Sequence, residues 1–141
     1  MRILAVDYGL ARIGLAVSDP TGLLAQGLSV LKRESDGLAV RAIAEVVREY
    51  GVDEAVVGLP RNMDGSVGPR AKACQRFAEL LHEAAEIPVA TFDERLTTVA
   101  AERILIAANM SRKRRKQVVD SVAATLLLQD YLTWRKFQRS D

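Results

Sequence analysis

The chain has a single cysteine among its 141 residues, and this scarcity excludes several classes of protein. One thiol cannot form an internal disulfide, which argues against a disulfide-rich secreted scaffold and fits a reducing cytoplasm. One cysteine and one histidine also fall short of the ligands that a structural zinc site requires. No apolar run approaches the roughly 18 residues that cross a bilayer, and a buried strand begins directly after Arg2, where a secretory signal would lie. We therefore expect one cytoplasmic domain over residues 1–141 with no membrane association.

The net charge of +2 hides an uneven distribution of charge along the chain. Residues 1–94 carry 10 basic and 14 acidic side chains, a balance of −4, whereas residues 95–141 carry 10 basic and 4 acidic ones, a balance of +6. A basic end beside an acidic centre is typical of a protein that meets a polyanion through a bound metal. The distribution favours nucleic acid as the partner.

The order of apolar patterns predicts an α/β fold. A buried strand at 3–7 and strands at 12–18 and 25–32 are joined by short links, which predicts an antiparallel meander. Helices and strands then alternate. The result is a mixed five-stranded sheet with helices on its faces. The later elements are a helix between an N-cap at Ser35 or Asp36 and Gly51, a strand at 55–59, a helix starting at Pro69, a strand at 87–92, and helices at 98–108 and 112–135.

Two of these helices have predicted inner faces. The spacing of about 100° per residue groups their apolar side chains on one side. For the helix that starts at Pro69 the set is Ala73, Cys74, Phe77, Leu80, Leu81 and Ala84, and for the last helix it is Val119, Val122, Ala123, Leu126, Leu127 and Tyr131. His82 is predicted at the surface, and Trp134 and Phe137 over the end of the core.

Carboxylates interrupt three of the apolar segments. Asp7 ends the first strand, Asp93 and Glu94 end the last strand, and Asp120 lies near the start of the last helix, on the edge of its inward stripe. In open α/β sheets, ligands bind at the carboxyl ends of the strands. Three carboxylates there would bind Mg²⁺ or Mn²⁺, and two such ions would support attack of water on a phosphodiester.

Each acid also has a plainer interpretation when it is taken alone. Asp7 is then a turn residue, Glu94 a partner of Arg95, and Asp120 a partner of Lys116 one turn earlier. The alternation of side chains along a strand allows only one of Asp93 and Glu94 to face the site, and the sequence does not decide between them.

Two basic or polar segments are candidates for contact with phosphate. Five cations at a helix amino end oppose the helix dipole, which is unfavourable without a bound anion. The loop after the strand at 55–59 offers backbone N–H groups that can cradle a phosphate. The plain alternatives are a solvated helix end and an ordinary loop. The residues are Arg112, Lys113, Arg114, Arg115 and Lys116 in the helix, and Arg61, Asn62 and Ser66 in the loop.

The motifs taken together resemble the YqgF family, also called RuvX, over nearly the whole chain. They are AVDYG with RIG at 5–14, VGLP with DGS at 57–66, DERLTT at 93–98 and DSVAA at 120–124. The resemblance implies a ribonuclease H-like fold and a nuclease, with proposed roles in maturation of the 5′ end of pre-16S ribosomal RNA and in Holliday-junction resolution.

The resemblance implies that Asp7, Glu94 (or Asp93) and Asp120 are the catalytic metal ligands, with Arg95 and residues 112–116 holding the nucleic-acid backbone. Related nucleases usually place an acid on the fourth strand, whereas this chain has Gly58 in a strand without one, so the second carboxylate must come from residues 93–94. Val67 replaces an acidic residue expected in its loop.

Two other classes of function compete with the nuclease. Actin-like ATPases share an Asp-X-Gly after their first strand, but they need two lobes around the nucleotide, and no Gly-Lys-Ser/Thr follows Gly9 as a P-loop requires. A non-catalytic RNA-binding module would keep the basic run without needing three acids. Within the nuclease reading, a junction resolvase is expected to be a two-fold dimer and an RNA-processing enzyme a monomer.

Overall fold

A computed structural model describes residues 1–96 and 112–138, with side chains for 1–96 and 122–138. Five strands, three α-helices and one short 3₁₀ turn are present in these ranges. The strands are β1 (Ile3–Tyr8), β2 (Arg12–Ser18), β3 (Ala25–Lys32), β4 (Glu54–Leu59) and β5 (Val89–Asp93); the helices are α1 (Asp36–Tyr50), α2 (Pro69–Ala85) and α3 (Arg112–Gln138), and the 3₁₀ turn is Glu94–Leu96.

The strands form one sheet in the order β3-β2-β1-β4-β5. β1, β2 and β3 pair antiparallel, and β4 and β5 run parallel to β1, so the predicted meander and mixed sheet are confirmed. The carboxyl ends of β1, β4 and β5 therefore meet at one edge of the sheet, which we call the carboxyl rim. The loops that follow these strands gather there.

Alternate residues of the central strand enter two separate cores. Leu4, Val6 and Tyr8 pack beneath α1 and α2, on what we call the α1/α2 face. Ile3 and Ala5 pack against α3, on the α3 face. All six residues of β1 are buried, as the strand between two helical layers must be.

Polar contacts fix the direction of α3 across the sheet. Tyr131 donates a hydrogen bond to Glu54 Oε1 at the amino end of β4 (3.3 Å), and Arg135 forms an ion pair with the same carboxylate. Leu127, one turn before Tyr131 and about two before Arg135, packs at Gly58 near the carboxyl end of β4. α3 therefore runs antiparallel to β4, and its amino end points toward the carboxyl rim.

The ends of α1 are those that the sequence predicts. The Ser35 side chain accepts a hydrogen bond from the backbone N–H of Leu38, and Gly51 ends the helix with a left-handed φ of 63°. Among the described residues, no helix is long and apolar enough to cross a membrane.

Some predicted details are wrong. Leu80 is 40% exposed rather than inward, because the stripe of α2 that faces the sheet runs through Ala71, Cys74, Phe77 and Leu81. Trp134 and Phe137 are also exposed, although the Trp134 ring still packs on Phe92 with 5.5 Å between ring centroids. β5 begins at Val89 rather than at residue 87, and α3 ends at Gln138 rather than at residue 135. The predicted helix at 98–108 and the Val119 side chain lie outside the described residues.

Candidate functional site

Asp7 is a buried carboxylate at the carboxyl end of the central strand. It is only 6% exposed, and Ser18 is the other buried polar residue among those described. Asp7 follows Ile3 and Ala5 in strand alternation, so its side chain lies on the α3 face. An ionised carboxylate at this depth is costly unless a hydrogen bond, a cation or another partner compensates its charge. This position, at the carboxyl rim of an α/β sheet, is where such folds bind ligands.

Glycines flank Asp7 on both neighbouring strands. Gly14 of β2 is its direct antiparallel partner. On the other side, the β1–β4 register pairs Val6 with Val57, and its continuation places Gly58 beside Asp7. Neither neighbour has a side chain, so the sheet leaves space next to the Asp7 carboxylate on both sides.

The Glu94 carboxylate fills the space over Gly58. A Cβ atom at Gly58 would lie 2.6 Å from Glu94 Oε1 and 3.2 Å from the Leu127 side chain. Contacts below 3.0 Å do not occur for real Cβ atoms, so the carboxylate stands where any other residue would place its side chain. The glycine on the fourth strand thus makes room for an acid from the turn after the fifth strand. The sequence shows no acid at residues 55–59 of this strand, but it does not by itself assign Gly58 this role.

The sheet register separates Asp93 from Glu94. Asp93 pairs with Leu59, which packs in the core of the α1/α2 face, while Phe92 pairs with Gly58 and packs against α3. Side chains of paired residues share a face, so Asp93 lies on the opposite face from Asp7. The geometry therefore favours Glu94 as the acid beside Asp7.

Arg95 binds Asp93 through several hydrogen bonds. Its Nη2 donates to Asp93 Oδ2 (2.7 Å), its Nε donates to the same oxygen (3.0 Å), and its backbone N–H donates to Oδ1 (2.9 Å). The Arg95 side chain, by donating these bonds, lowers the pKa of Asp93. Asp93 thus holds the guanidinium of the residue that follows Glu94, which fixes the turn on both sides of that acid.

The loop after β4 lies against this arginine. Arg95 Nη1 donates to the Met63 carbonyl (3.4 Å) and lies 3.3 Å from where a Cβ of Gly65 would stand. Inside the loop, Asn62 Nδ2 donates to Ser66 Oγ (2.9 Å), and the Ser66 hydroxyl and backbone N–H both donate to Asp64. These bonds lower the pKa of Asp64, with the Ser66 hydroxyl as the main cause. Asn62, Ser66 and Arg95 therefore lie together near Glu94, and Arg61 precedes them as an exposed residue.

The pKa of the Cys74 thiol, which is buried on the α1/α2 face, responds to the charges of both acids. Its pKa is raised to about 11, first by burial and then by the negative charges of Glu94 and Asp7. Both carboxylates therefore lie within electrostatic reach of one thiol. This agrees with their placement at the carboxyl rim, where Asp7 lies in β1 and Glu94 in the turn after β5.

The third predicted acid lies in α3, in the part whose side chains the structure does not describe. Asp120 is seven residues before Leu127, so the two positions lie about 20° apart around the helix and roughly 10 Å apart along it. Asp120 is thus on the side of α3 that meets the sheet and is displaced toward the carboxyl rim. The predicted phosphate contacts at 112–116 occupy the first turns of the same helix, and their side chains are also outside the described set.

A polar network that the sequence did not reveal supports the turn after Asp7. Tyr8 donates a hydrogen bond to Asp36 Oδ1 (2.7 Å), and Arg33 Nε donates to the same oxygen (2.7 Å). Arg33 Nη1 also donates to the Leu10 carbonyl in the β1–β2 turn (3.3 Å). In that turn a Cβ on Gly9 would lie 2.5 Å from the Arg12 carbonyl oxygen, so only glycine fits. Periodicity cannot detect this network, because its members come from β1, the β3–α1 link and α1.

The donors that meet at the rim are suited to a hard divalent cation. Asp7 and Glu94 offer carboxylate oxygens, the ligands that Mg²⁺ and Mn²⁺ prefer. Among residues whose side chains are described, no group of three or more His, Cys, Asp or Glu forms a metal cluster. The described part of the chain supplies two of the three predicted carboxylates, and Asp120 would have to supply the third.

Comparison with known sequences gives a single family. The sequence model of the family described as "RuvX: Holliday junction resolvase" matches residues 1–134. A relative from Moorella thermoacetica is 54% identical over 132 residues, covering 94% of both chains, and one from Bacillus cytotoxicus is 52% identical over 134 residues, covering 94% of this chain and 98% of its own. Both relatives are named as proposed pre-16S rRNA nucleases.

Comparison with solved structures gives the same fold. Thermus thermophilus RuvC in complex with a Holliday junction substrate superposes with a TM-score of 0.59 at 17% identity, covering 96% of both chains. The fowlpox virus resolvase, solved with Holliday junction DNA, gives a TM-score of 0.52 at 14% identity over 94% of this chain and 99% of that one. At such identities the likeness shows the fold alone, and it confirms the predicted ribonuclease H-like architecture.

Proposed function

The chain belongs to the RuvX family, and we propose that it is a divalent-metal-dependent nuclease that processes the 5′ end of pre-16S ribosomal RNA in the cytoplasm. The observation that carries the chemistry is the placement of the Glu94 carboxylate over Gly58, beside the buried Asp7. The names of the relatives that are more than half identical support the RNA substrate.

The acids at the carboxyl rim supply the metal ligands that phosphodiester hydrolysis requires. Asp7, Glu94 and Asp120 would hold Mg²⁺ or Mn²⁺, with Glu94 rather than Asp93 as the ligand supplied at the end of the fifth strand. When bound, the cation activates water and neutralises charge on the phosphate. Burial of Asp7 on the central strand places its carboxylate at the rim before substrate arrives, and preorganised charges of this kind contribute strongly to lowering the barrier.

The loop and the helix start supply the contacts to the nucleic acid. Arg61, Asn62, Ser66 and Arg95 border Glu94 and would position the phosphates on one side of the acids. The residues Arg112–Lys116, at the amino end of α3, would meet the backbone beyond the rim. These contacts fix the register of the strand and carry no sequence information of their own.

A DNA activity is the second candidate, because the family is described as a Holliday junction resolvase and the structurally similar RuvC was solved with a Holliday junction substrate. A resolvase must cut two strands symmetrically, which calls for a two-fold dimer. Sedimentation of the purified chain, free and with a four-way junction, separates the two proposals. A dimer on the junction supports resolution, and a monomer supports RNA processing.

The direct test is a cleavage panel with a single charge removed. Asp7→Asn keeps the shape of the side chain and loses the charge, so we expect Mn²⁺-dependent cleavage of pre-16S RNA to fall at least about 100-fold, since this charge acts at the reacting phosphate. Binding of the RNA, measured by fluorescence anisotropy in EDTA, is expected to survive.

The matched control is Glu79→Gln, which removes one charge from an exposed position of α2 and is expected to cleave as the wild type does. Single-stranded DNA and four-way junctions, each with Mg²⁺ and with Mn²⁺, complete the panel. Full activity of Asp7→Asn in nuclease-free preparations would refute the catalytic proposal, and binding without cleavage by the wild type on every substrate would favour a non-catalytic RNA-binding module.

A further inference from the structure

Two cations of the sheet lie directly opposite each other at the carboxyl rim. Arg12 is the first residue of β2 and Lys32 the last of β3, and the antiparallel register pairs them. Like charges in this relation repel across a few ångströms and destabilise a sheet. None of the ion pairs among the described residues involves either side chain. The repulsion is therefore retained in the fold, and a bound anion would relieve it.

The neighbouring Arg33 shows what a structural cation looks like in the same place. It is bound to Asp36, Tyr8 and the Leu10 carbonyl, and it anchors the β1–β2 turn. Lys32 is exposed and Arg12 is half-buried. Together with Ala11 and Val30 they line a cavity of about 590 Å³ at the rim.

The register places this pair on the same face as the acids. Asp7 pairs with Gly14, and Arg12 is two residues from Gly14 on the same strand, so Arg12 and its partner Lys32 share the α3 face with Asp7. From strand spacing and rise, the Arg12 Cα lies roughly 8 Å and the Lys32 Cα roughly 12 Å from that of Asp7. Arg61 and Arg95 lie on the other side of Asp7, beyond β4.

We propose that Arg12 and Lys32 form a phosphate-binding subsite for the nucleic-acid substrate, on the β2–β3 side of the acids. The substrate strand then crosses the carboxyl rim from Lys32 and Arg12, over Asp7 and Glu94, to the loop at 61–66. Charge complementarity favours a phosphodiester backbone as the occupant, since acids at the centre repel it and the two cationic sides hold it. The inference rests on the proposed function, because it names where that substrate lies.

The experiment measures binding without cleavage, so that it does not depend on the nuclease being active. Arg12→Gln/Lys32→Gln is compared with Arg76→Gln/Lys136→Gln, which removes the same two charges from exposed positions of α2 and α3 outside this rim. The probes are a fluorescein-labelled 20-nucleotide single-stranded RNA and a four-way DNA junction, titrated in EDTA at several concentrations of KCl.

Loss of two phosphate contacts lowers the slope of log K against log[salt] by about 1.4 for single-stranded RNA and about 1.8 for duplex DNA. A difference of 1.4 that vanishes at 1 M salt corresponds to about 25-fold weaker binding at 0.1 M. The melting temperature of the variant is expected to equal or exceed that of the wild type, because a repulsion is removed.

A reduced slope on either probe, with the control unchanged, supports the subsite even if the chain proves not to cleave. Unchanged slopes on both probes overturn it. An edge-strand lysine also protects a sheet against pairing with another copy; self-association of the variant with unchanged slopes would assign the pair that role instead.

Discussion

Replacing Gly58 with alanine tests the geometry of the acid site most directly. The new methyl carbon would stand 2.6 Å from Glu94 Oε1, so the carboxylate must retreat by about 0.8 Å to reach an ordinary 3.4 Å contact. Leu127 at 3.2 Å must yield by a few tenths of an ångström. Both obstacles are the ends of flexible side chains, and the backbone need not move.

The two consequences differ in size, and this makes the variant informative. Overpacking costs about 1–3 kcal/mol, and the low end applies here because both obstacles are the ends of flexible side chains. Removing a glycine from the unfolded ensemble gains about 0.4–1 kcal/mol, so stability should change by no more than about 1 kcal/mol. Catalysis should suffer far more, since a displacement of about 1 Å at a reacting centre costs about 100-fold. We expect weaker Mn²⁺ binding and single-turnover cleavage slowed about 100-fold at near-normal stability.

The assays are calorimetric titration of Mn²⁺, single-turnover cleavage of pre-16S RNA and urea unfolding of the same preparations. Gly37→Ala is the matched control, because a Cβ there meets nothing within 4 Å. Adding Glu94→Asp to Gly58→Ala shortens the acid and should restore part of the Mn²⁺ affinity. Wild-type Mn²⁺ affinity and cleavage in Gly58→Ala would refute the claim that Glu94 acts from the space over this glycine.

Two further predictions concern the surroundings of the site. Arg95→Gln should raise the pKa of Asp93, because the arginine holds it below its ordinary value. In the wild type, the stability from this ion pair is lost as pH falls through the depressed pKa; in the variant that stability is already absent at neutral pH. NMR titration of Asp93 and urea unfolding from pH 7 to 3 measure both effects, and an unchanged Asp93 pKa would contradict the ion pair. The Cys74 thiol, with its pKa raised from 9.0 to about 11, should have a thiolate population at pH 8 roughly 100-fold below that of an ordinary thiol. Ellman's reagent should therefore react with Cys74 only after unfolding. Rapid reaction in the folded protein would show that the thiol is not buried and that its pKa is not raised.

Local signals predicted most of the sheet and the ends of α1. The apolar runs of β1 and β2 are each bounded by turn residues, and Ser35 and Gly51 are strong helix caps. β2 and α1 therefore match their predicted limits, and β1 runs one residue further than predicted, to Tyr8. The start of β5 was less well predicted. Pro88 offers no N–H to a ladder and instead accepts from Ala55 through its carbonyl, so the strand begins at Val89, two residues after the predicted start.

Which residues form the acid site could not be predicted without knowing the tertiary contacts. Alternation shows that Asp93 and Glu94 differ in direction but does not say which face of β5 meets α3; the pairing of Asp93 with Leu59 decides it. Gly58 likewise reads as an unremarkable strand glycine until Glu94 is seen standing over it. The predicted burial of Leu80 was wrong for a similar reason, since the side of a helix that becomes buried depends on the surface against which the helix packs.

The placement of α3 has a consequence for how the protein is made. This helix follows all five strands in the chain, yet it alone among the described helices covers the face that carries Asp7. During synthesis, β1 to β5, α1 and α2 are made before α3. Ile3, Ala5 and Val56 pack against residues of α3 that lie more than sixty positions further along the chain. The face that carries Asp7 therefore stays uncovered until α3 has been synthesised and has packed against the sheet, so the candidate site depends on an element made after all five strands.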